Sequence, residues 1–291
     1  MSKKKTLAPS VTARDPKGLK FVSIVEAAYN KAGLSEEEAQ RVNDTPGLAD
    51  LIGHFIAENR HPDQFADEEE PSSYGYLSGY RAPKPMAEQV RVLKGFLPEL
   101  GTFDKGVGAG ELPAGAEGLF VIPRWEAVAP TYGEAVQKIL DCLKKARGGR
   151  FHNFRAGKLG PENLRQQPRT SEKLAALAEE QPGHDILAVP AQFGIRHRGR
   201  SVRRARVVFA ASEFGLGSFA VGCMLLTHPE RLQHLNDLWV DCAGDEYDPG
   251  ADGQFGCAPC FHFRVGELGF DAVRVNGADA CYGSVSAFSR S

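Results

Sequence analysis

Six arginines fall within eleven residues of this chain: Arg196, Arg198, Arg200, Arg203, Arg204 and Arg206, in the stretch 194–206 that reads GIRHRGRSVRRAR. Fixed positive charge at that density cannot enter an apolar core unpaired, because an isolated buried ion costs more than a domain's net stability. The fold must leave this stretch open to solvent or to an anion, or else bring carboxylates to it. Asp185 to Val189 ahead of it, apolar from Ile186 on, reads as a strand. Ser201 is a capping residue, with Val202, Ala205 and Phe209 following at helical spacing. Strand, glycine-containing loop and helix start is the order that points free backbone N–H groups at an anion. The expected contacts are Arg196, His197, Arg198, Gly199, Arg200, Ser201, Arg203, Arg204 and Arg206.

The net charge of -2 on 291 residues marks no partner by itself. Its distribution does more. Lys144, Lys145, Arg147, Arg150, Arg155 and Lys158 form a basic run with no acid between Asp141 and Glu162, and the arginine run has none between Asp185 and Glu213. Acids gather at Asp63, Asp67, Glu68, Glu69 and Glu70, and again at Asp241, Asp245, Glu246, Asp248 and Asp252. Such separation makes a basic face, or it pairs internally with the acids of 63–70 or 241–252. The start, Met-Ser-Lys-Lys-Lys, has no apolar signal region, and the longest apolar run, 218–226, is too short for a bilayer. No membrane partner and a cytoplasmic location are expected, with the six cysteines reduced or metal-bound.

Residues 1–17 read as a disordered basic lead. Helical periodicity runs through 18–33, 35 onward, 46–59 and 86–100, with an acidic, then Ser/Gly/Tyr/Pro-rich loop over 61–85. Ser35 before Glu36, Glu37 and Glu38 is a helix start. A Gly-rich connection at 101–118 leads into a mixed region, 119–291. There, strands are expected at 119–122, 184–189 and 238–241, with helices at 132–147 and 171–180. Paired strands at 261–265 and 270–275 flank a turn at 266–269. The fold class is α+β: a helical N-terminal region, then a mixed C-terminal domain with a small sheet.

Gly194 to Ser201 has the outline G-x-x-x-x-G-R-S, and Asp241 to Gly244 closes a short strand as D-x-x-G. Together with the N-x-x-D outline at Asn276 to Asp279, these resemble the P-loop GTPases. The resemblance implies that Ser201 and Asp241 hold magnesium beside a nucleotide. It departs at Arg200, where the family has a lysine.

Cys257 and Cys260 form one C-x-x-C with His262 two residues on, and Cys242 is a possible fourth ligand for zinc. Cys281 is another. A structural zinc takes two paired spacings and only one is present, so no metal is the first expectation. The order D-x-G-x-D-G at 248–253 resembles the start of a calcium loop, without the closing glutamate.

The leading expectation is a phosphate-backbone binder of RNA or DNA using 194–206, with no cofactor. Phe151, Phe154 and Phe193 nearby are equally suited to stacking bases and to the core. One alternative is a nucleotide-binding enzyme. The other is a structural or protein-interaction protein whose arginine run is paired internally.

Overall fold

Three helices open the chain: α1 (Pro16–Ala32), α2 (Glu36–Asp44) and α3 (Leu48–Glu58). Ser35 starts α2 as its sequence demands. Its hydroxyl accepts the Glu38 N–H, and the Glu38 carboxylate takes the Ser35 N–H at 2.8 Å. The computed structural model describes residues 14, 16–58, 64–104 and 111–289. The chain divides into two units, 1–60 and 61–291. In the first, Phe21 of α1 stacks on Phe55 of α3 with centroids 6.5 Å apart.

The second unit carries α4 (Met86–Phe96), β1 (Gly118–Pro123), α5 (Tyr132–Ala146), β2 (Phe151–Asn153), β3 (Leu164–Gln166), α6 (Pro168–Glu180), β4 (Ile186–Gln192) and α7 (Val202–Val208). Then follow β5 (Glu213–Gly215), α8 (Ser218–Thr227), β6 (Val240–Asp241), β7 (Asp245–Tyr247), β8 (Cys257–Arg264), β9 (Glu267–Arg274) and β10 (Ser286–Phe288). One sheet has the order β1-β4-β10-β5 and is antiparallel throughout. The other has the order β2-β9-β8-β7-β3, with β6 paired to β8. The architecture is therefore α+β, helices first. The helices grouped by periodicity over 18–100 are divided, since α4 packs on β1 and α8 in the second unit.

The apolar run 218–226, which shows no helical period, forms α8. Every residue of this helix is buried, against α5, α4 and β1. A helix covered on all sides has no polar face and so shows no helical period. Gly222 lets it close on α5, where an added Cβ would lie 2.9 Å from the Ile139 side chain.

The β8–β9 hairpin turns at Val265 and Gly266, earlier than the expected 266–269. Both residues are left-handed, with φ of 52° and 80°, and Arg264 faces Glu267 in register. A two-residue turn of this hand matches the twist of the strands it joins. The strand also reaches back to Cys257, which settles the geometry of the cysteines below.

Candidate functional site

β4 is followed by Phe193 and a left-handed Gly194, and the chain makes a single 3-10 turn over Ile195–His197. Ser201 then caps α7, its hydroxyl accepting the Arg204 N–H at 3.1 Å. Across this segment lies an acidic strap, residues 68–70. Glu70 N–H donates to the Gly199 carbonyl at 2.6 Å, and Ser201 N–H donates to the Glu68 carbonyl at 3.1 Å. Gly199 is required there. Its φ is 75°, and a Cβ would sit 2.1 Å from the Glu70 carbonyl oxygen.

The strap brings its carboxylates to the arginines. Arg203 lies 4.0 Å over the Phe65 ring, and its Nε donates to Glu68 Oε2 at 2.8 Å. The Ser201 hydroxyl donates to the same oxygen at 2.6 Å. Arg204 pairs with Glu69 and reaches the Gln64 carbonyl at 3.0 Å, while Arg200 meets Glu69 at 3.4 Å. The Arg203 hydrogen bond holds Glu68 below its ordinary value. Burial pushes Glu69 up, but Arg204 and Arg200 more than offset it.

The other end of the run closes on β5. Arg196 meets Glu213 at 3.3 Å, and His197 Nε2 lies 2.7 Å from Glu213. Arg200 Nη1 is 3.1 Å from His197 Nδ1. A guanidinium has only hydrogens to offer, so Nδ1 accepts and the imidazole is neutral, with Nε2–H donating to Glu213. Arg198 donates to the Tyr74 carbonyl at 2.9 Å. Arg206 donates to the carbonyls of Ala243 and Asp245 at 2.9 and 2.6 Å, and burial draws its guanidinium down to about 10. Each of the six arginines thus has a partner within the fold. Arg196 and Arg198 remain exposed.

The nucleotide outlines meet a different geometry. Gly194 to Ser201 does join a strand to a helix, but both neighbours of β4 run antiparallel to it. A P-loop strand belongs to a βαβ unit and so to a parallel sheet. Ser201 gives its hydroxyl to Glu68, and Asp279 accepts the Cys281 N–H at 2.9 Å. Asp241 is fully buried, and neither carboxylate oxygen has a hydrogen-bond partner among the described residues. Burial, with Asp279 adding to it, pushes Asp241 up to about 7. Across the strands it faces Cys260 on one side and Ser284 on the other.

Strand alternation separates the possible zinc ligands. The pairing of β8 with β9 is unbroken from Cys257 to Arg264, so Cys257 and Cys260 face opposite sides of the sheet. Cys260 and His262 share one face, with His262 lying across Gly269 and 4.6 Å from Trp239. Cys242 and Cys257 join the core on the other face. Among the described residues no three His, Cys, Asp or Glu side chains are grouped to hold a metal ion. Asp248 uses its carboxylate on its own loop. It accepts the N–H groups of Gly250, Asp252, Gly253 and Gln254 at 2.7 to 2.9 Å. Burial would push it up, but these donors hold it low.

Of the three phenylalanines offered for stacking, Phe151 and Phe193 are core, and Phe154 is 51% exposed. It stands beside the exposed ring of His152, with centroids 4.2 Å apart. Lys144, Arg150 and Lys158 of the same basic run are also exposed.

No known protein family matches the chain, and neither does any curated protein or solved structure. Among the described residues no helix is long and apolar enough to cross a membrane.

Proposed function

We propose that this chain is a protein-interaction protein that pairs with a second copy of itself through α1–α3, its arginine run serving as an internal clasp. One observation carries the reading. No described residue of α1–α3 is buried; Phe21 and Ile52 are half-buried, and ten of the large apolar side chains are 38 to 70% exposed, Leu19, Ile24 and Leu51 among them. A helical unit of this size with no buried residue among the described ones gains little stability from a core of its own. Its exposed apolar surface, on the order of 800 Å² if each large side chain leaves about half of its area open, is what one partner brings to a standard interface. α1 is net positive and α2 net negative, so two copies related by a twofold axis are complementary in charge. Light scattering tests this. The full chain is expected to form a concentration-dependent dimer. Leu19→Glu with Leu51→Glu is expected to be monomeric, with the melting of the second unit unchanged. A monomer at high concentration sinks the reading.

A second reading, binding of an RNA or DNA backbone, is favoured by the exposed Phe154 in the same stretch as Lys144, Arg150 and Lys158, cations that make no ion pair among the described residues. Phosphate contacts release counterions, and an exposed ring stacks bases. Binding to single-stranded RNA that weakens with salt, and weakens further in Phe154→Ala, would support it. Absence of salt-sensitive binding removes it.

A further inference from the structure

A cavity of about 180 Å³ opens between the end of β1, α6 and the first turn of α8. Its walls are mostly apolar, formed by Ile122, Leu174, Ala178, Leu187, Phe219 and Ala220, with Gln166 and Ser171 also lining it. An apolar cavity of about 150 Å³ stays dry and accepts benzene, so this one has room for a single ring or a branched aliphatic chain. Two charged side chains of opposite sign, Arg124 and Glu126, line the same cavity and are exposed. Neither makes an ion pair among the described residues.

The mouth is held in place before any ligand arrives. Arg124 N–H donates to the Asp185 carbonyl at 2.7 Å. Trp125 packs edge-on against Tyr132, with centroids 5.9 Å apart, and the Tyr132 hydroxyl is fixed on Asp245 at 2.7 Å. An unpaired cation and an unpaired anion at the rim of an apolar cavity match a zwitterion with an apolar substituent. Pre-organised walls lower the ordering cost of binding it.

We propose that this cavity binds a free α-amino acid with an aromatic or branched side chain. The side chain enters between α6 and α8, the carboxylate meets the Arg124 guanidinium, and the ammonium meets Glu126. A bidentate guanidinium–carboxylate contact is the stronger of the two.

Calorimetry on the full chain tests this with L-phenylalanine, L-leucine, phenylethylamine and phenylpropanoate. Phenylalanine and leucine are expected to bind. The two analogues, each lacking one charge, are expected to bind at least about tenfold more weakly, a difference of about 1.4 kcal/mol. Arg124→Gln should weaken phenylalanine by a similar factor and leave phenylethylamine unchanged. Glu126→Gln should weaken phenylalanine and phenylethylamine and leave phenylpropanoate unchanged. Both positions are exposed, so neither variant threatens the fold. Ala178→Leu, which fills the cavity from α6, should abolish binding of all four. No heat and no thermal shift with any of them at millimolar concentration overturns the proposal. So does phenylalanine binding that Arg124→Gln, Glu126→Gln and Ala178→Leu all leave intact.

Discussion

Glu213 receives the His197 Nε2–H at 2.7 Å in a position where neither side chain reaches solvent. The same carboxylate accepts the Ser286 hydroxyl and the Ala210 N–H, and Arg196 lies 3.3 Å away. One acid thus ties the arginine run to β5 and β10. Burial alone would push it up, but the His197 hydrogen bond, the charge that ring takes on in acid, the Ser286 hydroxyl and the Arg196 charge bring it down to about 2.

Glu213→Gln tests this junction. Removing one partner from a buried charged cluster costs about 3 kcal/mol or more, read as a lower urea midpoint at pH 7. The pH dependence has a definite sign. A carboxylate depressed from 4.5 to about 2 adds stability above 4.5 and loses it as the pH falls through about 2. The gap between the native chain and Glu213→Gln should therefore close across that window. Burial draws His197 below its ordinary 6.5, which adds acid lability beginning below that pH. A gap that stays constant from pH 5 to pH 2 would mean that Glu213 is not the stabilising charge.

Asp241 behaves in the opposite sense. Its carboxylate is raised from 3.8 to about 7 by burial and by Asp279. The folded chain holds this proton more tightly than the unfolded chain does. Stability from this group is therefore full below 3.8 and declines as the pH rises to about 7. Asp241→Asn removes the ionisation and keeps the shape. Its melting temperature relative to the native chain should rise between pH 4 and pH 7 and level off above. Equal melting temperatures for the two proteins at pH 5 and pH 8 would refute the assignment.

The strap should be separable from the core of the second unit. Arg204 is 9% exposed and pairs with Glu69, so a double-mutant cycle with Arg204→Ala and Glu69→Ala should give a coupling of about 1 kcal/mol. Hydrogen exchange should report where it acts. The Glu70 and Ser201 amides, bonded to Gly199 and Glu68, should lose protection in either single variant, while the β1–β4 amides keep theirs. Unchanged protection at Glu70 would mean that the backbone bridge holds the strap without the ion pairs.

Most of what was legible in the sequence was local. Ser35 and Ser201 each stand where a hydroxyl caps a helix, and the β8–β9 pair alternates visibly. α8 was hidden because full burial erases the contrast that a period needs. The partners of the arginine run were half visible. The separation of charge left the acids of 63–70 and of 241–252 both open as counterparts. The structure uses Glu68 and Glu69 with Glu213, and from 241–252 Arg206 takes the backbone carbonyls of Ala243 and Asp245, with no hydrogen bond to a carboxylate there among the described residues. Glu213 was in view only as the residue that ends the acid-free stretch. A pairing across a separation of 135 residues is fixed by the path of the whole chain, and no local pattern encodes it. The cysteines needed only the strand boundary: once β8 starts at Cys257, alternation puts Cys257 and Cys260 on opposite faces.

The hairpin turn offers a stabilising change with nothing else at stake. Val265 is 98% exposed and holds a φ of 52°, a conformation that crowds a β-branched side chain. Gly266 beside it, at φ 80°, is suited to its place. Asparagine tolerates the left-handed region, and Asn-Gly is the preferred pair for a two-residue turn of this hand. Val265→Asn should raise stability by about 1 kcal/mol, the scale of one relieved backbone strain, with the Arg264–Glu267 register retained. Gly266→Val should lower it by at least as much. Chemical denaturation of both variants checks the pair. If Val265→Asn is neutral or destabilising while Gly266→Val is harmless, the turn does not have this geometry in solution.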